Sequence, residues 1–216
     1  MNNKEKQDAL MLEILEAVEN DSKLTQRDLA TSMGVALGLA NSCLRRCIRK
    51  GLIKVHQAPA NRYLYYVTPK GFTEKSRLTA QYLSNSFAFY RRAGDACRTV
   101  YRRCRERDWR RIVLCGYSEL AEIALLRAHD DAAIDVIGIY DPAQRSGDRL
   151  GLPVWKAYSR IPEHDALILT TLDQPLEFLQ QLRDTVPVRD SIFIPSVLGI
   201  SKDVQFAGDE SQASTH

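Results

Sequence analysis

The stretch that most constrains the fold of this 216-residue chain runs from Leu24 to Leu52 and has the pattern of two short helices joined by a tight turn. Thr25 can cap the first helix, and Asp28 three residues later completes a pattern close to a capping box. Gly34 can adopt the left-handed conformation that ends this helix, and Val35 is predicted to be a buried hinge residue. The stretch therefore predicts a helix-turn-helix.

The second of these helices, predicted from about Ala36, has two different faces. Four residues at helical spacing are expected to face the core, namely Ala40, Leu44, Cys47 and Ile48. The opposite face carries Leu37, Gly38, Asn41, Ser42, Arg45 and Arg49. Small and amide side chains suit contact with base edges, and arginines suit contact with phosphates. We therefore predict that this face binds double-stranded DNA, with Thr25 and Gln26 of the preceding helix. A packed helical hairpin without a partner is the alternative.

A β-hairpin is predicted directly after the second helix. Leu52–His56 and Arg62–Val67 have the composition of strands, and Gln57–Asn61 has turn chemistry. A hairpin in this position is a wing, and its Lys54 and Arg62 are predicted to reach the DNA backbone or a minor groove. A solvated basic hairpin without a partner is the other interpretation.

The distribution of charge also divides the chain. Residues 1–111 contain 22 basic and 11 acidic residues, whereas residues 112–216 contain 8 basic and 16 acidic ones. A basic half favours a polyanion as its partner, and an acidic half favours a different one.

Several motifs in the basic half resemble one family of regulators. They are Leu24–Ala30, Gly34–Gly38, Lys50–Lys54 and Leu64–Gly71, the last reading LYYVTPKG. Over roughly residues 8–105 the chain is similar to winged-helix regulators of the MarR type, and most similar to the subgroup associated with exopolysaccharide gene clusters. The resemblance implies a DNA-binding transcriptional regulator. An amphipathic helix over Asp8–Glu19 completes a predicted three-helix core, and the residues before it are expected to be frayed.

A helix of about forty residues is predicted from Pro69 onward. Residues recurring at alternating intervals of four and three form a heptad seam: Leu83, Phe87, Tyr90, Gly94, Cys97, Tyr101 and Cys104. We favour pairing of this seam with a second copy of the chain over packing within its own subunit, because such regulators usually bind two half-sites as a two-fold dimer. The arginine-rich run that follows is typical of a solvated face, and can equally contact phosphates or the acidic half.

A Rossmann-type βαβ unit is predicted after Arg111. Its strands are Ile112–Gly116 and Val136–Tyr140, and its helix begins at Glu119. Gly116, Ser118 and Ala121 form a degraded glycine fingerprint, and Asp141 ends the second strand, where a carboxylate can bind ribose hydroxyls. Further predicted strands at Ala166–Thr170 and Ser191–Ile194, around a helix over Leu176–Thr185, complete a small parallel sheet.

The segments Gly138–Pro142 and Gly151–Val154, with Gly147 between them, resemble the nucleotide-binding half-domain of sugar-modifying acyltransferases and capsule sugar-nucleotide enzymes. That resemblance covers about residues 110–198 and implies a ligand site with phosphate near Gly116, Tyr117, Ser118 and Glu119, ribose at Asp141, and a wall at Thr170 and Thr171. NAD(H) or a sugar nucleotide is the expected ligand class. A vestigial fold without a ligand remains the alternative.

The five cysteines lack metal-ligand spacing, which predicts reduced thiols and no bound metal. The sequence also has no secretory signal or long apolar run, which predicts no membrane contact and a cytoplasmic location. The predicted fold is an α+β winged helix-turn-helix domain (residues 1–70), a linker and dimerisation helix (71–108), an α/β Rossmann-like domain (109–200) and a disordered tail (201–216). These features predict a dimeric transcriptional regulator whose second domain senses a nucleotide-type metabolite and which controls polysaccharide genes.

Two alternatives to this function stay open. One is a nucleotide-sugar or NAD-dependent enzyme with a helical appendage, disfavoured because no acid-base set follows the fingerprint. The other is an adaptor whose Rossmann-like domain is an empty interaction surface.

Overall fold

The computed structural model describes residues 3–59, 62–143, 147–186 and 191–200, and these form two compact units, unit 1 up to Phe87 and unit 2 from Ala88. The boundary between the units falls inside one long helix. The proposed tail, residues 201–216, lies outside the described residues. The predicted fold class is confirmed, since a winged helix-turn-helix is followed by a long helix and a Rossmann-like α/β domain.

Unit 1 is built from a three-helix core and a two-stranded wing. Its elements are α1 (Asn3–Asn20), α2 (Gln26–Ser32), α3 (Leu37–Arg49), β1 (Ile53–Ala58) and β2 (Arg62–Val67), followed by α4 (Pro69–Arg105), which continues into unit 2. The core packs Met11, Ile14 and Leu15 of α1 against Leu29 of α2 and Leu44 of α3, all of which are fully buried.

Two details of unit 1 differ from the sequence-based expectation. Helix α1 begins at Asn3 rather than Asp8, so most of the segment expected to fray is helical. Val35 is half-buried rather than buried. The turn instead relies on Gly34, which has φ +61°, and on a hydrogen bond from the Val35 N–H to the Ala30 carbonyl at 3.0 Å.

The wing is joined to α3 and α4 by a compact junction. Strands β1 and β2 pair antiparallel in the register Ile53 to Val67 through Ala58 to Arg62, so β1 extends two residues beyond its predicted end. At the base of the wing the Thr68 hydroxyl donates to the Gly51 carbonyl at 2.7 Å and accepts from the Gly71 N–H at 3.0 Å. A Cβ on Gly71 would lie 2.2 Å from the Leu52 carbonyl oxygen, so the first turn of α4 contacts the start of the wing directly.

The predicted heptad seam of α4 is buried in its C-terminal part and exposed in its N-terminal part. Gly94, Cys97, Tyr101 and Cys104 are buried inside unit 2, and the Tyr101 hydroxyl donates to the Ala124 carbonyl at 2.7 Å. Leu83 and Phe87 are 46% and 57% exposed. The expectation of one continuous seam facing a second subunit is therefore wrong for the part beyond Tyr90. Its apolar residues were needed to cover the chain's own sheet.

Unit 2 is a six-stranded sheet of order β5-β6-β4-β3-β7-β8, in which all strands but β5 are parallel. Its strands are β3 (Arg111–Cys115), β4 (Asp135–Tyr140), β5 (Gly147–Arg149), β6 (Leu152–Trp155), β7 (Ala166–Leu169) and β8 (Ile192–Phe193). Helices α5 (Glu119–Ala128) and α6 (Pro175–Thr185) follow β3 and β7, and short 3-10 turns occupy Tyr158–Arg160 and Ser196–Leu198. The hairpin partner β5 was not predicted, because three residues are too few to show an alternating pattern.

Candidate functional site

The helix-turn-helix begins at a complete capping box. The Thr25 hydroxyl oxygen accepts from the Asp28 N–H at 3.1 Å, and the Asp28 carboxylate accepts from the Thr25 N–H at 2.9 Å and from its hydroxyl at 2.7 Å. These hydrogen bonds hold the pKa of Asp28 below its ordinary value. Because the folded pKa is lowered, this contribution to stability is present above the unfolded pKa and is lost as the pH falls through the folded one. Thr25 and Gln26 are both exposed.

The outward face of α3 holds the predicted DNA contacts together. Leu37, Gly38, Ser42, Arg45 and Arg49 are exposed, and Asn41 is half-buried among them. A shallow concavity on this face is lined by Gly38, Asn41, Ser42, Arg45, Ile48 and Arg49. Ile48, which was predicted to face the core, is only partly buried and contributes to this surface.

The polar groups of this face lack partners within the described part of the chain. The Asn41 side-chain oxygen is buried and has no hydrogen-bond partner there. Arg45 and Arg49 have no salt bridge to any described carboxylate, whereas the neighbouring Arg46 donates to the Gln7 side chain. The two exposed guanidinium groups can bind phosphates, and the Asn41 amide can bind an adenine edge once its side chain rotates to expose the oxygen.

The wing presents its own polar face. Lys54 and His56 are two residues apart on β1, so they lie on the same face of the strand, and both are exposed. Tyr66, which pairs with Lys54 across the hairpin, is exposed as well. The rings of His56 and Tyr66 meet edge to face with centroids 6.5 Å apart. Tyr66 was not predicted as a site residue, although its register with Lys54 places it on the same face. Arg62 pairs with Ala58 through the backbone, and its side chain lies outside the described residues, as does Asn61.

In unit 2 the predicted ligand residues gather at one edge of the sheet. Gly116–Glu119 follow β3, Asp141 follows β4, and Thr170 and Thr171 follow β7. The chain moves from β3 to β4 and β6 on one side and then to β7 and β8 on the other. The carboxyl ends of β3 and β7 therefore form the topological switch point, where ligands bind in open α/β sheets.

The loops at this switch point are tied to one another by hydrogen bonds. The Asp141 carboxylate accepts from the N–H groups of Tyr117 at 2.8 Å and Ala143 at 3.0 Å. The Ser118 hydroxyl donates to the Thr170 carbonyl and caps α5 by accepting from the Leu120 N–H at 3.1 Å. The Thr170 hydroxyl donates to the Gly116 carbonyl at 2.6 Å. A ligand at these groups would have to replace protein hydrogen bonds.

The two central loops also contact each other closely. Gly116 is buried with φ +93°, and a Cβ there would lie 2.4 Å from the Thr171 Cβ. Thr171 is itself 8% exposed, and its hydroxyl donates to the Asp173 carbonyl at 2.9 Å. Glu119 is exposed, Tyr117 and Ser118 are half-buried, and the guanidinium of Arg149 lies 5.8 Å from the Tyr117 ring centroid.

Other kinds of site are not found among the described residues. No group of three or more potential ligands there could hold a metal ion, and no helix there has the length and apolar character to cross a membrane. All five cysteines are buried free thiols.

Residues 7–54, which span the helix-turn-helix, match the family model for winged helix-turn-helix DNA-binding domains. No curated protein matches the chain. One similar solved structure is a Staphylococcus aureus MepR–DNA complex, at 24% identity and a TM-score of 0.33 over 40% of this chain and 60% of that one. Another is MepR, a transcription regulator of the Staphylococcus aureus multidrug efflux pump MepA, at 23% identity and a TM-score of 0.33 over 41% of this chain and 62% of that one. The chain thus spans about 60% of the length of these two proteins. The family match covers most of α1, all of α2 and α3, and the start of β1.

Proposed function

We propose that the chain is a transcriptional regulator of the MarR type that binds duplex operator DNA through α3 and its wing. The observation that carries this proposal is the outward face of α3, where the exposed Arg45 and Arg49 form no salt bridge with a described carboxylate and follow Asn41 along the same face of the helix. The Asn41 side-chain oxygen is buried without a partner in the described part of the free protein, and rotation of this side chain toward the outward face would present its amide to an adenine edge. The match of residues 7–54 to a DNA-binding family model supports the same function. Control of polysaccharide genes follows from the sequence resemblance alone.

We also propose that the regulator acts as a homodimer. Residues 78–90 of α4 contain no charged residue, although 26% of the chain is charged. Within unit 1 this segment exposes Tyr82, Leu83 and Phe87. An uncharged apolar helix face suits pairing with an identical face across a two-fold axis.

Selection of bound sequences from a pool of random duplexes tests both proposals. We expect enrichment of an inverted repeat whose half-sites are centred about 10 bp, or a multiple of that, apart, because two recognition helices related by a two-fold axis read successive major grooves. Enrichment of a single half-site would contradict the dimer. The absence of any enriched sequence would contradict the operator-binding function.

For unit 2 we propose sensing of a nucleotide-type metabolite, with no catalytic role. Asp141 and the β3 loop lie at the switch point of the sheet, and an acidic strand end suits ribose hydroxyls. NAD(H) and sugar nucleotides are the candidate ligands. The adaptor alternative draws support from the hydrogen bonds that already join Ser118 to Thr170 and Asp141 to Tyr117.

A thermal shift measurement separates the sensor from the adaptor. At a concentration of NAD⁺, NADH or UDP-glucose one hundred times its Kd, the wild type should gain about 2.7 kcal/mol in free energy of unfolding. The substitution Asp141→Asn keeps one oxygen that can accept the Tyr117 N–H and removes the charge that favours ribose hydroxyls. We expect it to abolish the shift. If none of the three compounds shifts the wild type, the sensor proposal fails and the adaptor is favoured.

A further inference from the structure

An unusual arginine composition marks the end of α4 and the turn that follows it. Residues 91–111 contain nine arginines and no lysine, and no lysine occurs between Lys75 and Lys156. Surfaces that serve only solubility commonly mix lysine with arginine and acidic residues. A stretch that uses arginine alone indicates a requirement for the planar guanidinium, which binds phosphate in a bidentate manner.

Four of these arginines share the outward face of the helix. Cys97, Tyr101 and Cys104 define the face of α4 that is buried in unit 2. At 3.6 residues per turn, the opposite side is occupied by Arg91 with Arg92 and, three turns later, Arg102 with Arg103. All four are exposed. The two pairs are eleven residues apart, which corresponds to roughly 16 Å along the helix axis.

Three carboxylates of unit 2 pair with other arginines of α4. Arg98 contacts Asp95 at 2.9 Å and Asp130 at 3.9 Å, and Arg105 contacts Asp131 at 3.3 Å. None of the four outward arginines forms a salt bridge within residues 3–59, 62–143, 147–186 and 191–200. Their charge is therefore available to an external anion, whereas Arg98 and Arg105 each already have a carboxylate partner within 4 Å.

We propose that Arg91, Arg92, Arg102 and Arg103 form a second nucleic-acid surface, which binds the phosphates of duplex DNA independently of its sequence. Two guanidinium pairs about 16 Å apart can reach phosphates on both edges of a major groove about 12 Å wide. The helix holds the two arginine pairs at a fixed separation. Regularly spaced phosphates of a duplex match such a fixed separation better than the carboxylates of a flexible acidic peptide do. This surface lies in unit 2, whereas the proposed operator contacts of α3 and the wing lie in unit 1.

The salt dependence of binding to a non-operator duplex tests this surface. The full chain is titrated onto a fluorescent 30-bp duplex of random sequence between about 50 and 200 mM salt, where each neutralised phosphate contributes about 0.9 to the slope of log K against log salt. Loss of two phosphate contacts should therefore flatten the slope by about 1.8 in the double variant Arg102→Ala/Arg103→Ala. The matched control is Arg98→Ala, which removes an arginine of the same helix that is already paired. It should leave the slope within about 0.3 of the wild type.

Repeating the titrations in an Arg45→Ala/Arg49→Ala background separates this inference from the proposed function. A slope change caused by Arg102 and Arg103 in both backgrounds supports the second surface, whether or not the α3 variants alter binding. An unchanged slope in the double variant overturns it and leaves an acidic protein surface as the partner class. An equal change in Arg98→Ala also overturns it, because the effect would then follow net charge rather than the outward face.

Discussion

The substitution Asn41→Ala is expected to weaken binding of the full chain to its selected duplex by about 1–3 kcal/mol, which is roughly 5-fold to 150-fold in Kd. The buried Asn41 oxygen has no partner in the described part of the protein, so rotation of the side chain breaks no hydrogen bond of that oxygen and brings the amide to an adenine edge. Loss of this contact should also relax the sequence preference at one position of each half-site. Fluorescence anisotropy with the selected duplex, and with duplexes changed at single positions, measures both effects.

Two further variants of α3 show whether this effect is specific. Arg45→Ala should weaken binding to all duplexes by a similar factor and reduce the salt slope by about 0.9, because its guanidinium is assigned to a phosphate. Arg46→Ala is the matched control, since Arg46 is held by Gln7 on α1 and does not belong to the outward face. Equal affinities for the wild type, Asn41→Ala and Arg45→Ala, with folding intact, would contradict the assignment of α3 as the recognition helix.

The second large effect is expected in unit 2, where Gly116→Ala should lower the free energy of unfolding by about 2–5 kcal/mol. The left-handed backbone at φ +93° disfavours an alanine by about 1–2 kcal/mol. The new Cβ would in addition lie 2.4 Å from the Thr171 Cβ and 2.9 Å from its backbone nitrogen, and overpacking of this kind costs about 1–3 kcal/mol. Urea unfolding followed by tryptophan fluorescence reports on this unit alone, because the two tryptophans of the chain, Trp109 and Trp155, both lie in it.

Gly151→Ala is the matched control for backbone strain. Gly151 has φ +73°, and a Cβ added there would meet no described atom within 4 Å, so only the conformational cost should appear. The difference between the two variants isolates the contact between the β3 and β7 loops. Equal destabilisation by both would show that the Thr171 contact contributes nothing.

Features governed by local rules could be predicted from the sequence. The capping box of Thr25 and Asp28, the left-handed Gly34 and the start of α4 at Pro69 each depend on residues within a few positions. The order of β3, α5, β4, β7, α6 and β8 in the Rossmann-like domain was likewise apparent from short apolar runs, whereas β5 was not.

Features that depend on distant residues could not be predicted. The heptad seam gave no indication that Cys97 and Tyr101 would pack inside unit 2 while Leu83 stayed exposed, because one helical period serves both purposes. The hydrogen bond from Ser118 to Thr170 joins residues 52 positions apart. Fingerprint spacing identified Ser118 as a loop residue, but only the folded chain shows its hydroxyl already bonded to the neighbouring loop.

The junction at the base of the wing determines more than local packing. The absence of a side chain at Gly71 lets the first turn of α4 pack against the Leu52 carbonyl. The Thr68 hydroxyl bonds to the Gly51 carbonyl on one side of this contact and to the Gly71 N–H on the other. The rotational phase of α4 relative to α3 is thereby set within unit 1, and with it the direction of the face that carries Leu83 and Phe87. One inserted residue after Gly71 would turn that face by about 100°. In the dimer proposed above, the direction of this face would set the separation of the two recognition helices, so Gly71 would influence the spacing of the operator half-sites from the base of the wing.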